Sequence, residues 1–282
     1  MTEPTETAYS AAHADYYEAI TDDGEEWGDE QFYREQAREA AEPALEVACG
    51  TGRVYLELLR AGVDADGFDL SAGALDVLRQ TATAAGLDPT VWRADMRRFA
   101  VARPYGFVYC PFNTISHALT TADQLAVFRA AYDALAAGGR FAFDVFVPDF
   151  EHVCETYGEW QTATREYDGE SHEIRHRTRL VDRPRQLLAD ETELYDGDGE
   201  RVFGQTLRMG LLPPQQLALV ARHSPFEAWR VRGDFDHAPP DWTTTDSRRT
   251  GPAETFDPDA TTAVESLGED APRQVWELRK SP

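Results

Sequence analysis

The run Ala44 to Arg53, ALEVACGTGR, constrains this chain more than any other, because an apolar strand enters a turn with glycine at 50 and 52 and a helical pattern leaves it at Arg53. Gly50 and Gly52 allow positive φ and let a ligand approach the backbone, while the helix start over 53–60 points free N–H groups at the same space. That geometry is the cofactor-facing corner of an α/β sheet. A dinucleotide turn asks for a third glycine that packs helix on strand, and Tyr55 stands there instead. Glu46 further disfavours a diphosphate, since like charges repel, and welcomes an ammonium or sulfonium. At the end of the next apolar segment, 65–71, Asp69 can accept two hydrogen bonds from a ribose diol.

With these residues in place the chain resembles the class I S-adenosylmethionine-dependent methyltransferases. Their glycine motif is commonly E/D-x-G/A-x-G-x-G, and LEVACGTGR fits it with Ala48 at the frequent first glycine. Three further segments follow in order: Trp92 to Met96, Phe107 to Asn113, and Leu135 to Asp144. The resemblance is strong over residues 40–150. It implies a doubly wound, seven-stranded, mostly parallel sheet of the Rossmann-like methyltransferase type, with S-adenosylmethionine as cofactor. It also implies that Glu46, Ala48, Cys49, Gly50, Gly52, Asp69, Leu70, Asp95, Met96 and Cys110 line the cofactor. Asp95 is then expected near the adenine amine, Met96 against the ring, and the loop after the fourth strand beside the methyl group.

Composition narrows the partners. The chain has 51 acidic and 27 basic residues, a net charge of −24, and Lys280 is its one lysine. Such a surface repels nucleic acid and anionic lipid. Self-repulsion of this size suits concentrated salt, where the Debye length falls to about 3 Å at 1 M, so a halophilic protein is expected. The acidic start lacks a signal pattern, no apolar run reaches about 18 residues, and three cysteines cannot all pair; a cytoplasmic protein without a membrane partner is expected.

Along the chain, residues 1–41 read as an N-terminal helical lid, with aromatics spaced among acids, and 42–150 as the core. Residues 151–212 change to period-two alternation and predict an antiparallel β insertion after strand five, spanning 158–211. In it Glu191 and Glu193 are cross-strand partners for Arg175, Arg177 and Arg179. Residues 213–282 predict a helix from Pro213 and two antiparallel strands, 226–235 and 274–279, separated by an acidic loop, 236–271. Either a monomer or a homodimer is compatible with this plan.

Methyl transfer is an in-line displacement, so the protein chiefly aligns a lone pair with the methyl carbon. An amine or alcohol acceptor also gains from a general base within hydrogen-bond reach. His117 is the candidate base and Asn113 the candidate orienting group, although a histidine there also suits a backbone carbonyl and an asparagine suits a turn. Tyr16, Trp27, Tyr33, Phe112 and His117 are candidate walls for the acceptor; such aromatics also serve to anchor a lid. Cys49 reads as a small filler. The match of His172 to His176 with H-E-x-x-H is not a zinc site, because on a strand the two rings stand about 13 Å apart. Asp196, Asp198 and Glu200 read as a hairpin turn, and no metal is expected. The combined reading is a methyltransferase for a small-molecule acceptor, N more than O. A non-catalytic S-adenosylmethionine sensor or scaffold is the alternative, and an NAD-linked enzyme fails on the third glycine and Glu46.

Overall fold

Strands buried on both faces read as continuous apolar runs, and the runs after residue 43 assemble into one parallel sheet for that reason. The computed structural model describes residues 28–40, 43–167, 169–235, 241–244, 267–268 and 271–282, together with Tyr16 and Val264. Helix α1 (Asp29–Glu39) precedes β1 (Ala44–Val47), α2 (Arg53–Arg60), β2 (Ala65–Asp69), α3 (Ala72–Ala84), β3 (Thr90–Arg93) and β4 (Tyr105–Cys110). A 3-10 turn (Thr114–His117), α4 (Thr121–Ala134) and β5 (Leu135–Phe146) follow. These five strands are parallel in the order β3-β2-β1-β4-β5. The order reverses between β1 and β4, which is where ligands bind in open sheets of this kind.

Alternate side chains go to opposite faces. Val108, Cys110, Phe141 and Phe143 join one buried cluster, whereas Phe107, Tyr109 and Ala142 join Phe32, Tyr33, Leu56 and Leu78 in the other. Helix ends follow local chemistry: the Ser71 hydroxyl accepts from the Ala74 amide at 3.1 Å, and the Thr120 hydroxyl from the Asp123 amide at 3.1 Å.

After β5 come α5 (Phe150–Thr156) and an antiparallel four-stranded sheet, β6 (Gln161–Tyr167), β7 (Glu170–Asp182), β8 (Leu187–Tyr195) and β9 (Arg201–Gly210). This is the expected insertion. Arg177 and Arg179 both bond Glu191 across the strands. Glu193 faces Arg175 in register, yet it bonds Arg201 and Tyr195, while Arg175 bonds Glu173 and lies 4.4 Å over the Tyr195 ring. The H-E-x-x-H residues lie on β7 as expected: His172 bonds the Glu170 carbonyl at 3.2 Å and His176 bonds Asp190. Among the described residues no cluster could hold a metal ion.

Helix α6 (Pro214–His223) returns the chain to the large sheet, where β10 (Ala228–Arg232) and β12 (Arg273–Arg279) add antiparallel strands beyond β5. That completes the expected seven. A two-residue strand, β11 (Thr243–Thr244), extends the edge inside the segment expected to be all loop. Trp242 accounts for it: the Arg230 and Arg279 guanidinium groups lie 4.4 and 4.8 Å from its ring centroid, a cation–π clamp that holds the segment on β10. Most of 236–271 lies outside the described residues.

Candidate cofactor and acceptor site

Glu46 stands at the switch point, in register with Tyr109 of β4 on one side and Gly67 of β2 on the other. Its side chain is buried, and its Oε2 has no hydrogen-bond partner among the described residues. Burial pushes the carboxyl up to about 8, with the neighbouring Tyr109 hydroxyl and Arg53 guanidinium offsetting only part of the rise. A buried orphaned carboxylate oxygen calls for a donor or a cation.

The turn beyond it is left-handed at three places, Ala48 (φ 59°), Gly50 (φ 54°) and Gly52 (φ 98°). Ala48 shows why glycine is frequent at that motif position, since a side chain there carries steric strain. A Cβ on Gly52 would meet Leu56 Cγ and Leu78 Cγ, both at 2.9 Å, so Gly52 itself provides the close approach that a third glycine gives a dinucleotide turn. A Cβ on Gly50 would meet nothing within 4 Å. There the turn is open.

Asp69 ends β2 and its carboxylate accepts from the Gly50 amide at 2.9 Å and the Ser71 amide at 2.7 Å. Burial raises its pKa despite those bonds. Each oxygen keeps acceptor capacity for a hydroxyl. The Leu70 carbonyl takes the Arg93 Nε–H at 2.9 Å. Cys49 and Cys110 are buried, with thiol pKa values driven upward by burial. Cys49 packs where a side chain on Gly67 would stand, and Cys110 belongs to the core, so only their backbones remain to line a ligand. Asp95 is gripped by Arg97, with Nε at 3.0 Å and Nη2 at 2.6 Å; burial alone would raise its pKa, but these bonds lower it. Met96 packs half-buried with Trp92 and Phe99 against the core.

After β4, Phe112 and Asn113 are both left-handed, at φ 59° and 58°. Bulky residues adopt that conformation only where surroundings hold them. Here Asp144 Oδ1 accepts the Phe112 amide at 2.9 Å, Asn113 Oδ1 accepts the Phe146 amide at 2.7 Å, and the Arg53 guanidinium lies 5.0 Å over the Phe112 ring. Asn113 thus has its side-chain carbonyl committed to the turn. His117 Nδ1 lies 3.0 Å from the Arg208 carbonyl of β9. A carbonyl only accepts, so Nδ1 carries the proton and Nε2 is the basic nitrogen of the neutral ring.

The aromatic walls divide. Tyr16 leans on Phe203 of the second sheet, with ring centroids 5.7 Å apart. Trp27 lies outside the described residues. Tyr33, also expected as an acceptor wall, is fully buried, stacked on Tyr109 at 5.2 Å, and its hydroxyl bonds Asp144 at 2.7 Å. It fastens α1 to the sheet. Asp29 of α1 likewise grips Arg53 at the start of α2, with Nη1 to Oδ1 at 3.0 Å. Arg53, Asp29 and Asp144 were not legible as site residues; the one signal is an acid, Asp144, inside the apolar run Phe141 to Phe146.

Taken together, an orphaned carboxylate, an open glycine turn and a strand-end aspartate fit S-adenosylmethionine, whose amino-acid end is cationic and whose ribose offers a diol. Known proteins agree. Residues 44–139 match the family model described as a methyltransferase domain. A sugar N,N-dimethyltransferase of Saccharopolyspora spinosa, acting on dTDP-4-amino-2,3,4,6-tetradeoxy-D-glucose, is 33% identical over 142 residues. That match covers 48% of this chain and 55% of the relative, so the chain spans about half the length of the curated relative it matches. Among solved structures, the CcbJ methyltransferase of Streptomyces caelestis superposes with a TM-score of 0.73 at 23% identity, covering 99% of this chain and 100% of that one. The S-adenosylmethionine-bound amino pentose methyltransferase CalS10 of Micromonospora echinaspora gives 0.65 at 17%, covering 94% and 96%. These two likenesses show the fold. By the family match, residues 44–139 are a methyltransferase domain.

Proposed function

We propose that this protein transfers a methyl group from S-adenosylmethionine to the amine of a small, sugar-like acceptor. The observation that carries the reading is the buried Glu46 Oε2, without a hydrogen-bond partner among the described residues, set beside an open glycine turn at the switch point. When bound, the cofactor supplies an electrophilic methyl on a positive sulfur. The residues of the chain bind and orient. Glu46 offers its carboxylate to the cationic end, and the Ala48 to Gly52 backbone follows that end. Asp69 and Leu70 face the ribose. Asp95 and Met96 take the adenine, and the Cys110 backbone closes the floor. Phe112 and the Asn113 amide orient the acceptor, and His117 Nε2 accepts the proton that an ammonium acceptor must lose before its lone pair is available. The second sheet and Tyr16 enclose the acceptor side. The printed activity of the amino-sugar relative, an N,N-dimethyltransferase, supports nitrogen as the atom methylated.

The test has two parts. Calorimetry in high salt compares S-adenosylmethionine with NAD, and tighter NAD binding overturns the reading. Turnover is then followed as S-adenosylhomocysteine released with dTDP-4-amino sugars. Tight cofactor binding with no product from these or from a metabolite extract favours a sensor instead.

A further inference from the structure

Two arginines follow Met96, and the fold treats them differently. Arg98 is three-quarters exposed and stands 3.9 Å from Asp95. Arg97 is 14% exposed and held between two carboxylates, each 11% exposed: Asp95, bonded at 2.6 to 3.2 Å, and Asp123, at 3.3 Å. Asp95 belongs to the turn after β3. Asp123 belongs to the first turn of α4, where it accepts the Thr120 hydroxyl at 2.7 Å while its own amide donates to that hydroxyl.

The bonds continue toward the acceptor side. Gln124, the next residue, is buried; its amide donates to the Thr120 carbonyl at 2.9 Å and its side chain to the Ala118 carbonyl at 3.0 Å. The Ala118 amide in turn closes the 3-10 turn onto Ile115. That turn carries His117, which docks on β9. An unbroken set of buried or half-buried polar contacts therefore runs from the turn after β3, through Arg97, into residues 114–124. Among the described residues, Arg97 is the side chain in it that joins the two segments by charge, and a planar guanidinium can hold two carboxylates in fixed directions where an ammonium cannot.

We propose that Arg97 is a positioning residue that couples the turn after β3 to the His117 loop, so that a cofactor seated on Asp95 and Met96 stiffens residues 114–124 for the acceptor. This rests on the reading of that turn as the adenine side of the site. Asp95 is the shared element: its carboxylate is oriented by Arg97, and any ligand that bonds the same carboxylate restricts Arg97 and, through it, Asp123.

Amide hydrogen exchange of the full chain, with and without saturating S-adenosylhomocysteine, reads the coupling without turnover. In the unsubstituted protein the ligand slows exchange over 114–124 by at least about fivefold, the lower end of ordinary coupling. In Arg97→Gln the ligand still binds but that slowing is lost; Arg97→Lys restores part of it, and Arg98→Gln leaves it whole. Asp123→Asn is the second variant, should Arg97→Gln not fold, and it loses the slowing while keeping the Arg97–Asp95 contact. Ligand binding without slowing over 114–124 in the unsubstituted protein overturns the coupling and leaves the cofactor reading standing, as does unchanged slowing in the folded variants. No binding of S-adenosylhomocysteine at all overturns the cofactor reading itself.

Discussion

The Tyr33 hydroxyl in α1 donates to Asp144 Oδ1 in β5 at 2.7 Å, across 111 positions of sequence. The same oxygen accepts the Phe112 amide at 2.9 Å. One buried carboxylate therefore secures both α1 and the left-handed loop after β4.

Removing the Tyr33 hydroxyl leaves that carboxylate short of a donor in a site where burial already raises its pKa. Tyr33→Phe is expected to lose about 1–3 kcal/mol of stability, the usual cost of an unsatisfied buried acceptor. Chemical denaturation measures it. A midpoint equal to that of the unsubstituted protein contradicts the assigned bond.

The two glycines of the turn separate packing from binding. Gly52→Ala forces a Cβ to 2.9 Å from both Leu56 and Leu78 at φ 98°, and a loss of about 2–4 kcal/mol is expected from overpacking and strain together. Gly50→Ala meets no neighbour and costs about 1 kcal/mol, yet it places a methyl group in the open space of the turn. Melting curves and cofactor titration on both variants should show opposite rankings, Gly52→Ala worse in stability and Gly50→Ala worse in affinity among folded protein.

Glu46 sets a pH dependence for cofactor binding. Its carboxyl titrates at about 8, so near pH 7 it is mostly protonated. A cationic ligand favours the carboxylate, lowers that pKa and releases a proton on binding; affinity for S-adenosylmethionine accordingly rises from pH 6 to pH 8. Calorimetry in buffers of different ionisation enthalpy counts the proton, and Glu46→Gln abolishes its release. In stability the sign is reversed. The carboxyl titrates at about 8 when folded and at the ordinary 4.5 when unfolded, so its contribution falls as pH rises between those values.

The His176–Asp190 pair supplies a second titration, outside the cofactor turn. The hydrogen bond to Asp190 raises the His176 pKa above its ordinary 6.5, and burial opposes this only in part. A histidine with a raised folded pKa stabilises fully below the unfolded value, and that contribution disappears as pH climbs through the folded value. The stability difference between the unsubstituted protein and Asp190→Asn should therefore be largest at pH 6 and shrink toward pH 8. Urea midpoints across that range test it, and a difference that grows with pH contradicts the assignment. Chelators should leave both proteins unchanged, since His172 and His176 serve a strand.

Much of the plan is legible in the chain because it depends on local pattern. The apolar runs 44–48, 65–69, 90–94, 105–110 and 140–147 predict β1 to β5 to within a few residues, except that β5 begins at Leu135, because its early residues continue the pairing with β4 through a register shift at Tyr105. The alternation of 171–181 predicts β7, and the strand geometry it implies disposes of the metal motif. Asp69 meets the turn of Gly50 and Gly52, its carboxylate accepting from the Gly50 amide. What stays hidden is pairing between distant positions. Nothing near Arg53 points to Asp29, nothing near Asp144 points to Tyr33, and neither of the adjacent Arg97 and Arg98 is marked as the buried one.

By itself, the sequence determined the parallel α/β core, the antiparallel insertion and the glycine turn with its acid, because periodicity, glycine conformation and charge act over neighbours in the chain. Only the tertiary structure decided that Tyr33 fastens α1 to the sheet, that Gly52 packs against Leu56 and Leu78, and that Glu46 Oε2 has no hydrogen-bond partner among the described residues. Those outcomes turn on burial and on contacts between segments far apart in sequence. A carboxylate becomes a cation site, or a tyrosine a fastening, only once the fold has removed the water that would otherwise satisfy it.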